Sequence, residues 1–153
     1  MNLLFVCTGN TCRSPMAAAI MNKLAEENNL DLRIESAGMF ATDGENATPE
    51  AIEAIRKYEI DLEYHIAQRI TPELIEKSDL IITMTEAHKM VLQDMAKEKT
   101  CTLCELAGIS GDIEDPFGGD VEDYTEVCDK LYIALTQLCN KLEEIEQNSN
   151  NQE

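Results

Sequence analysis

The sequence predicts a single α/β domain, a parallel sheet covered by helices on both faces. Three observations carry this. Short apolar segments alternate along the chain with segments of helical spacing. Ser-Pro or Thr-Pro pairs mark three helix starts. The 153 residues, 44% hydrophobic and 27% charged, suit one domain with a sizeable core. No internal repeat or linker divides the chain.

The elements follow in order. "NLLFVC" (2–7) reads as a buried strand, closed by Gly9 and Asn10. Ser14 is expected to cap a helix with Pro15 at its first position, and Ala-rich helix formers continue to about Glu27. "LRIESAG" (32–38) alternates like a strand and ends at Gly38. Thr48-Pro49 repeats the start signal, with Ala51, Ile52, Ile55 and Tyr58 at helical spacing. Thr71-Pro72 opens a short helix to about Lys77. "DLIITM" (79–84) is a third buried strand, and a helix over 86–96 follows a cap at Thr85. "TCTLCEL" (100–106) reads as the last short strand. After the loop "AGISGDIEDPFGGD" a long helix runs from about Val121 to Ile145. Val127, Cys128, Leu131, Leu135, Leu138, Cys139 and Leu142 line one face of it. Domain boundaries are therefore 1–145, with a polar, acidic and disordered tail over 146–153.

Thirty acidic residues against 12 basic give a formal net charge of −18. Such a surface repels nucleic acid and anionic membranes, which excludes both as main partners. The apolar run Leu3–Val6 is too short for a signal-peptide core, and no stretch reaches the length of a membrane span. The chain is therefore expected in the cytoplasm, with its six cysteines reduced.

The chemistry gathers after the first strand. Ligands of such sheets bind beyond the carboxyl ends of the strands, where Cys7 lies. From Cys7 to Arg13 the spacing is Cys-x5-Arg, followed at once by Ser14. A loop of this length between strand and helix turns successive N–H groups inward, at the positive end of the helix dipole, and makes an anion nest. Arg13 adds a planar fork matched to phosphate oxygens. The same field, with a hydroxyl from Ser14, favours a thiolate at Cys7. Attack by that thiolate requires a proton for the leaving group. Asp115, restricted by Pro116 and next to the apolar Phe117, is the candidate acid among its neighbours Asp112, Glu114, Asp120 and Asp123.

"VCTGNTCRSPMA", "SAG" at 36–38, "DLIITM" with His88 beyond it, and "DPFGG" before the last helix resemble the low-molecular-weight protein tyrosine phosphatase superfamily. The likeness runs from Met1 to about Lys141 and is nearest to bacterial protein-arginine phosphatases. It implies a four-stranded parallel sheet, a cysteinyl-phosphate intermediate, and neither cofactor nor metal. The expected partners are phosphorylated proteins, and the chain is expected as a monomer. By the same resemblance Cys7 is the nucleophile, Arg13 binds the phosphoryl group, Ser14 stabilises the thiolate, and Asp115 is first acid, then base. Thr8, Gly9, Asn10, Thr11, Cys12, Ser14 and Phe117 form the substrate-binding set. Asn10 resembles a loop residue held left-handed, braced by Ser36 and His65. Cys12 stands where relatives pair a second thiol with the nucleophile to shield it from overoxidation.

Competing readings are weaker. Cys101-x-x-Cys104 lacks a second pair for zinc and lies in a strand-like run, so it reads as packing. His88 reads as a surface or internally satisfied helix histidine. Arsenate reductases share the loop but add a cysteine pair near the third strand, and 78–97 contains none. A non-enzymatic anion-binding module would have no use for the Asp-Pro loop. Tyrosine phosphatases of this class usually carry an aliphatic residue at Thr11, an aromatic near Thr42 and Asp43, and two aromatics after the Asp-Pro. Here Phe117 is followed by Gly118 and Gly119, so the pocket is more polar and suits phosphoarginine better than phosphotyrosine. Gln68, where many relatives have a small residue, is a departure.

Overall fold

The alternation within β1 (Asn2–Cys7) divides the core in two, because successive side chains of a strand point to opposite faces. In the computed structural model, which describes residues 1–151, β1 pairs with β2 (Arg33–Gly38) on one side and β3 (Leu80–Thr83) on the other. β4 (Thr100–Thr102) completes the sheet, in the order β2-β1-β3-β4 with every pairing parallel. The helices are α1 (Arg13–Glu27), α2 (Pro49–Ile55), α3 (Pro72–Lys77), α4 (Glu86–Ala96), α5 (Leu103–Ala107) and α6 (Val121–Asn151).

Leu3, Phe5 and Cys7 join the larger core, with α1, α2, α5 and α6. Leu4 and Val6 face the smaller core, with Leu74 and Ile75 of α3 and Leu92 and Ala96 of α4. On α6 the buried residues Tyr124, Cys128, Leu131, Leu135, Leu138 and Cys139 recur every three or four positions, the stripe expected of a helix with one apolar face. Tyr124, 1% exposed, extends that stripe by a turn beyond the residues read from sequence. Among the described residues, no helix is long and apolar enough to cross a membrane.

Four details differ from the sequence reading. The cap position of α1 is Cys12, and Ser14 lies inside the first turn with its hydroxyl turned toward Cys7 and Asn10. The last strand stops at Thr102, because that side chain accepts from Glu105 N at 3.0 Å and starts α5. Gly108, with φ 72°, closes α5 in the left-handed conformation that glycine adopts freely. Cys104 is therefore a buried helix residue and Cys101 a half-buried strand residue, not two members of one strand. Finally, α6 runs through Asn151 rather than ending near Ile145. No glycine or proline follows Gly119 to stop it, and Glu, Gln and Lys are good helix formers. The expected tail thus begins as helix over 146–151, and 152–153 lie outside the described residues.

From β1 the chain moves first to β2 on one side and later to β3 on the other. The strand order reverses between β1 and β3, and that is where an open α/β sheet leaves a crevice beyond its carboxyl ends. The loops after β1 and β3 are the two lips of this crevice.

Candidate active site

Cys7 ends β1 and Arg13 begins α1, so Thr8–Cys12 must reverse the chain in five residues. They do so through Asn10, whose φ of 56° is left-handed; Asn tolerates this because its side chain bonds locally. Asn10 is fully buried and held from all sides. Its Nδ2 donates to Ser14 Oγ (2.8 Å) and Ser36 Oγ (2.9 Å), and its Oδ1 accepts from Gln68 N (2.9 Å). Its carbonyl accepts from His65 Nε2 at 2.7 Å, which assigns the proton of His65 to Nε2. Burial holds the His65 pKa below its ordinary value, in keeping with a neutral ring. Ser36 and His65 do brace Asn10, and Gln68 joins them: its side chain also donates to Ser36 O at 3.0 Å. Gly38 supplies the room. A Cβ there would lie 2.7 Å from Thr8 O and 2.9 Å from Asn10 N.

The loop surrounds the sulfur of Cys7, 1% exposed, with donors. Asn10 N donates to Sγ at 3.3 Å, and Ser14 Oγ lies 2.9 Å away. Cys12, also buried, is of another kind. Burial and then the neighbouring Cys7 push its pKa up to about 12. Thr8 is exposed and Gly9 and Thr11 are half-buried, and the Thr11 carbonyl is tied to the start of α2 by Thr48 N at 2.9 Å. Among the described residues, none accepts from the N–H groups of Gly9, Thr11 or Cys12.

Arg13 is only 3% exposed. Its Nη1 donates to Ile113 O (3.0 Å) and its Nη2 to Thr8 Oγ1 (3.3 Å). The buried Nε has no acceptor in the protein. A buried guanidinium N–H is costly to leave unpaired, so this donor is directed at something the loop binds. Inward N–H groups, a helix N-terminus and a free guanidinium donor together form a receptor for a tetrahedral oxyanion.

The loop after α5 reaches over the same crevice. Buried Ile113 and Pro116 anchor it, and Ile113 N donates to Met84 O at the end of β3 (2.9 Å). Between the anchors Asp115 Oδ2 lies 3.6 Å from Arg13 Nη2. The other acids of the loop are otherwise engaged or remote. Asp112 Oδ1 accepts from Glu86 N at the start of α4 (2.9 Å). Asp120 and Asp123 cap α6 reciprocally, each accepting the other's N–H at 3.0 Å. Glu114 is exposed. Phe117 stands next to Asp115 in the loop. Its ring is 75% exposed, and it meets Asp115 through its backbone N–H, at 3.0 Å from Oδ1.

One residue of the site escaped the sequence reading. Phe40 follows β2, its N–H donates to Thr8 O at 2.9 Å, and its ring is left 72% exposed at the loop. An aromatic residue two positions after the "SAG" turn was the available signal. Of the two readings of His88, the structure has the internally satisfied helix histidine: its Nε2 lies 2.9 Å from Thr8 Oγ1 and its Nδ1 2.9 Å from Thr85 Oγ1.

Comparison with known proteins agrees with this geometry. The profile of the family described as "Low molecular weight phosphotyrosine protein phosphatase" matches residues 2–149. A protein-arginine-phosphatase of Bacillus subtilis (strain 168) is 42% identical over 146 residues, 93% of this chain and 97% of that protein. The low molecular weight protein-tyrosine-phosphatase PtpB of Staphylococcus haemolyticus is 38% identical over 140 residues, 90% of this chain and 97% of that one. A solved mutant of the YwlE arginine phosphatase, bearing a phosphorylated active site serine, superposes with a TM-score of 0.90 at 41% identity. That match covers 94% of this chain and 96% of the other. With its cysteine seated among donors, its buried arginine and its overhanging aspartate, the chain belongs to the low molecular weight phosphotyrosine protein phosphatase family.

Proposed function

We propose that this protein is a protein-arginine phosphatase working through a cysteinyl-phosphate intermediate. The observation that carries the phosphatase reading is the buried Arg13 Nε, which has no protein acceptor in the loop that surrounds Cys7. In this reading Arg13 and the loop N–H groups hold the non-bridging phosphoryl oxygens. Cys7 Sγ attacks phosphorus, the bond from phosphorus to the leaving group breaks, and Asp115 delivers a proton to the departing guanidino nitrogen. Asp115, now ionised, takes a proton from water. That water attacks the phosphocysteine, releasing inorganic phosphate and restoring the Cys7 thiolate. Ser14, Asn10, Ser36 and His65 keep the loop in shape for both steps.

Arginine specificity is supported by the walls of the site. Thr11 presents a hydroxyl and one methyl, Gly118 and Gly119 follow a single aromatic, and Asp115 is 48% exposed, open to a cationic guanidino group as well as able to protonate it. The exposed rings of Phe40 and Phe117 supply apolar surface for an aliphatic arm. The relatives named as arginine phosphatases point the same way. The reading takes residues 1–145 as the phosphatase domain of a monomeric cytoplasmic enzyme acting on phosphorylated proteins. Cys12 serves in it as a resolving thiol for Cys7, so Cys12→Ser makes peroxide inactivation harder to reverse with a thiol reductant.

Hydrolysis of phosphoarginine and phosphotyrosine peptides of matched sequence, compared as kcat/KM, tests the proposal. A clear preference for phosphoarginine is expected. Faster hydrolysis of phosphotyrosine, the activity that PtpB is named for, makes the protein a tyrosine phosphatase instead.

A further inference from the structure

His88 lies on the first turn of α4, just after β3, and Thr8 lies just after β1. The two residues therefore face each other across the lips of the crevice. Their contact belongs to a continuous chain: Thr85 Oγ1 to His88 Nδ1 (2.9 Å), His88 Nε2 to Thr8 Oγ1 (2.9 Å), and Arg13 Nη2 to Thr8 Oγ1 (3.3 Å). Arg13 has only donors, so Thr8 Oγ1 accepts from it, and its own proton is free to go to Nε2. Nδ1 then carries the ring proton and donates to Thr85 Oγ1, which also accepts from His88 N at 3.2 Å as the cap of α4. In this order the imidazole is neutral, with Nε2 as its acceptor.

The surroundings keep the ring neutral. Burial and then Arg13 lower the His88 pKa to about 4, against the opposing pull of Asp112 and Asp115 across the loop. The N-terminus of α4 also disfavours a cation.

We propose that His88 is a positioning residue of the site, holding the Arg13 guanidinium through Thr8 in the orientation that receives an oxyanion. The inference rests on the phosphatase reading only for which anion is the natural one. Thr85 fixes the ring, the ring fixes the Thr8 hydroxyl, and the hydroxyl fixes one arm of the arginine fork while Ile113 O fixes the other. The Nε–H is thereby left pointing at the ligand. The relay also ties the loop after β3 to the loop after β1.

Sulfate, a tetrahedral dianion that cannot turn over, is the probe. Its affinity is measured by titration calorimetry for wild type, His88→Ala, Thr8→Val and the double variant. Each single change is expected to weaken sulfate about tenfold, the scale of one lost hydrogen bond. The double variant should be no weaker than Thr8→Val alone, because His88 acts through Thr8. Thr8→Ser and His88→Gln, which keep the polar groups, should recover most of the loss, and kcat/KM for a phosphorylated substrate should fall and recover in parallel. Wild-type sulfate affinity in His88→Ala, or losses that simply add in the double variant, overturns the proposal. His88→Leu repeats the cycle should the alanine variant not fold. Absence of phosphatase turnover with the sulfate coupling intact would defeat the phosphatase reading and leave the relay standing. Turnover with additive losses would do the reverse.

Discussion

The phosphate loop and the acid loop meet at Arg13, yet they are built to opposite specifications. In the first, Asn10 is fully buried, and its side chain and carbonyl together make four hydrogen bonds within 2.9 Å. In the second, Asp115 is 48% exposed, Phe117 is 75% exposed, and only Ile113 and Pro116 are buried. The difference follows from the chemistry proposed for each. Donors for an oxyanion work best when fixed beforehand, because any reorganisation at the moment of reaction raises the barrier. A proton donor has to admit a substrate, give up a proton and later admit water, which requires an open and adjustable carboxyl.

The largest test of this contrast is Cys7→Ser. A hydroxyl in the same nest does not ionise as a thiol does, so turnover should be abolished while sulfate binding and the melting temperature stay near wild type. Normal turnover in Cys7→Ser would remove the nucleophile from the scheme. Next is Asp115→Asn, expected to lower kcat about 10²–10⁴-fold. Sulfate should bind no less tightly, since the substitution takes a negative charge away from Arg13. The same loss in Asp112→Asn or Asp120→Asn would show that another carboxylate is the acid.

Asn10→Ala strikes the other loop. Alanine at φ 56° is strained, and three side-chain hydrogen bonds disappear, so stability should fall by about 3 kcal/mol. Asp115→Asn, by contrast, should leave chemical denaturation unchanged. Equal effects of the two would erase the distinction between a rigid and an open loop. Thr11→Ile probes the rim between them. It should shift kcat/KM toward phosphotyrosine by about 1–3 kcal/mol, mainly through lost arginine activity, as expected when a polar substrate group loses its partner. An unchanged ratio in matched peptides would remove Thr11 from the specificity argument.

The smallest effect concerns His88 and pH. Its folded-state pKa, about 4, lies below the ordinary 6.5. Between those values the unfolded chain binds a proton that the folded chain refuses, so this group's contribution to stability declines as pH falls from about 6.5 to about 4 and then levels off. Denaturation of wild type and His88→Gln across that window should show a shallower decline in the variant. Parallel curves would mean that the ring titrates alike in both states.

Much of this was legible from local signals. Thr48, Thr71 and Thr85 each accept the N–H three residues ahead, as Ser or Thr before a helix implies. The five apolar residues Leu3–Cys7 of β1 and the Cys-x5-Arg spacing announced the strand and its loop. Signals that compete at short range were misread. Ser14 stood before a proline and looked like a cap, but its hydroxyl turns to Cys7 and Asn10, and it lies in the first turn of the helix instead. Thr102 ends the strand as read and also caps α5, so that Leu103–Leu106, read as strand, are helix.

By itself, then, the amino-acid order determined where the strands and most helices lie, and which loop carries a thiol beside an arginine. Those are matters of periodicity and of contacts within a few residues. The tertiary structure decided what meets that loop. Asp115 comes to Arg13 across 102 positions and His88 to Thr8 across 80, and no spacing encodes such pairs. They arise because the strand order reverses between β1 and β3, which brings the loops after both strands, and the acid loop tied to β3, over one crevice.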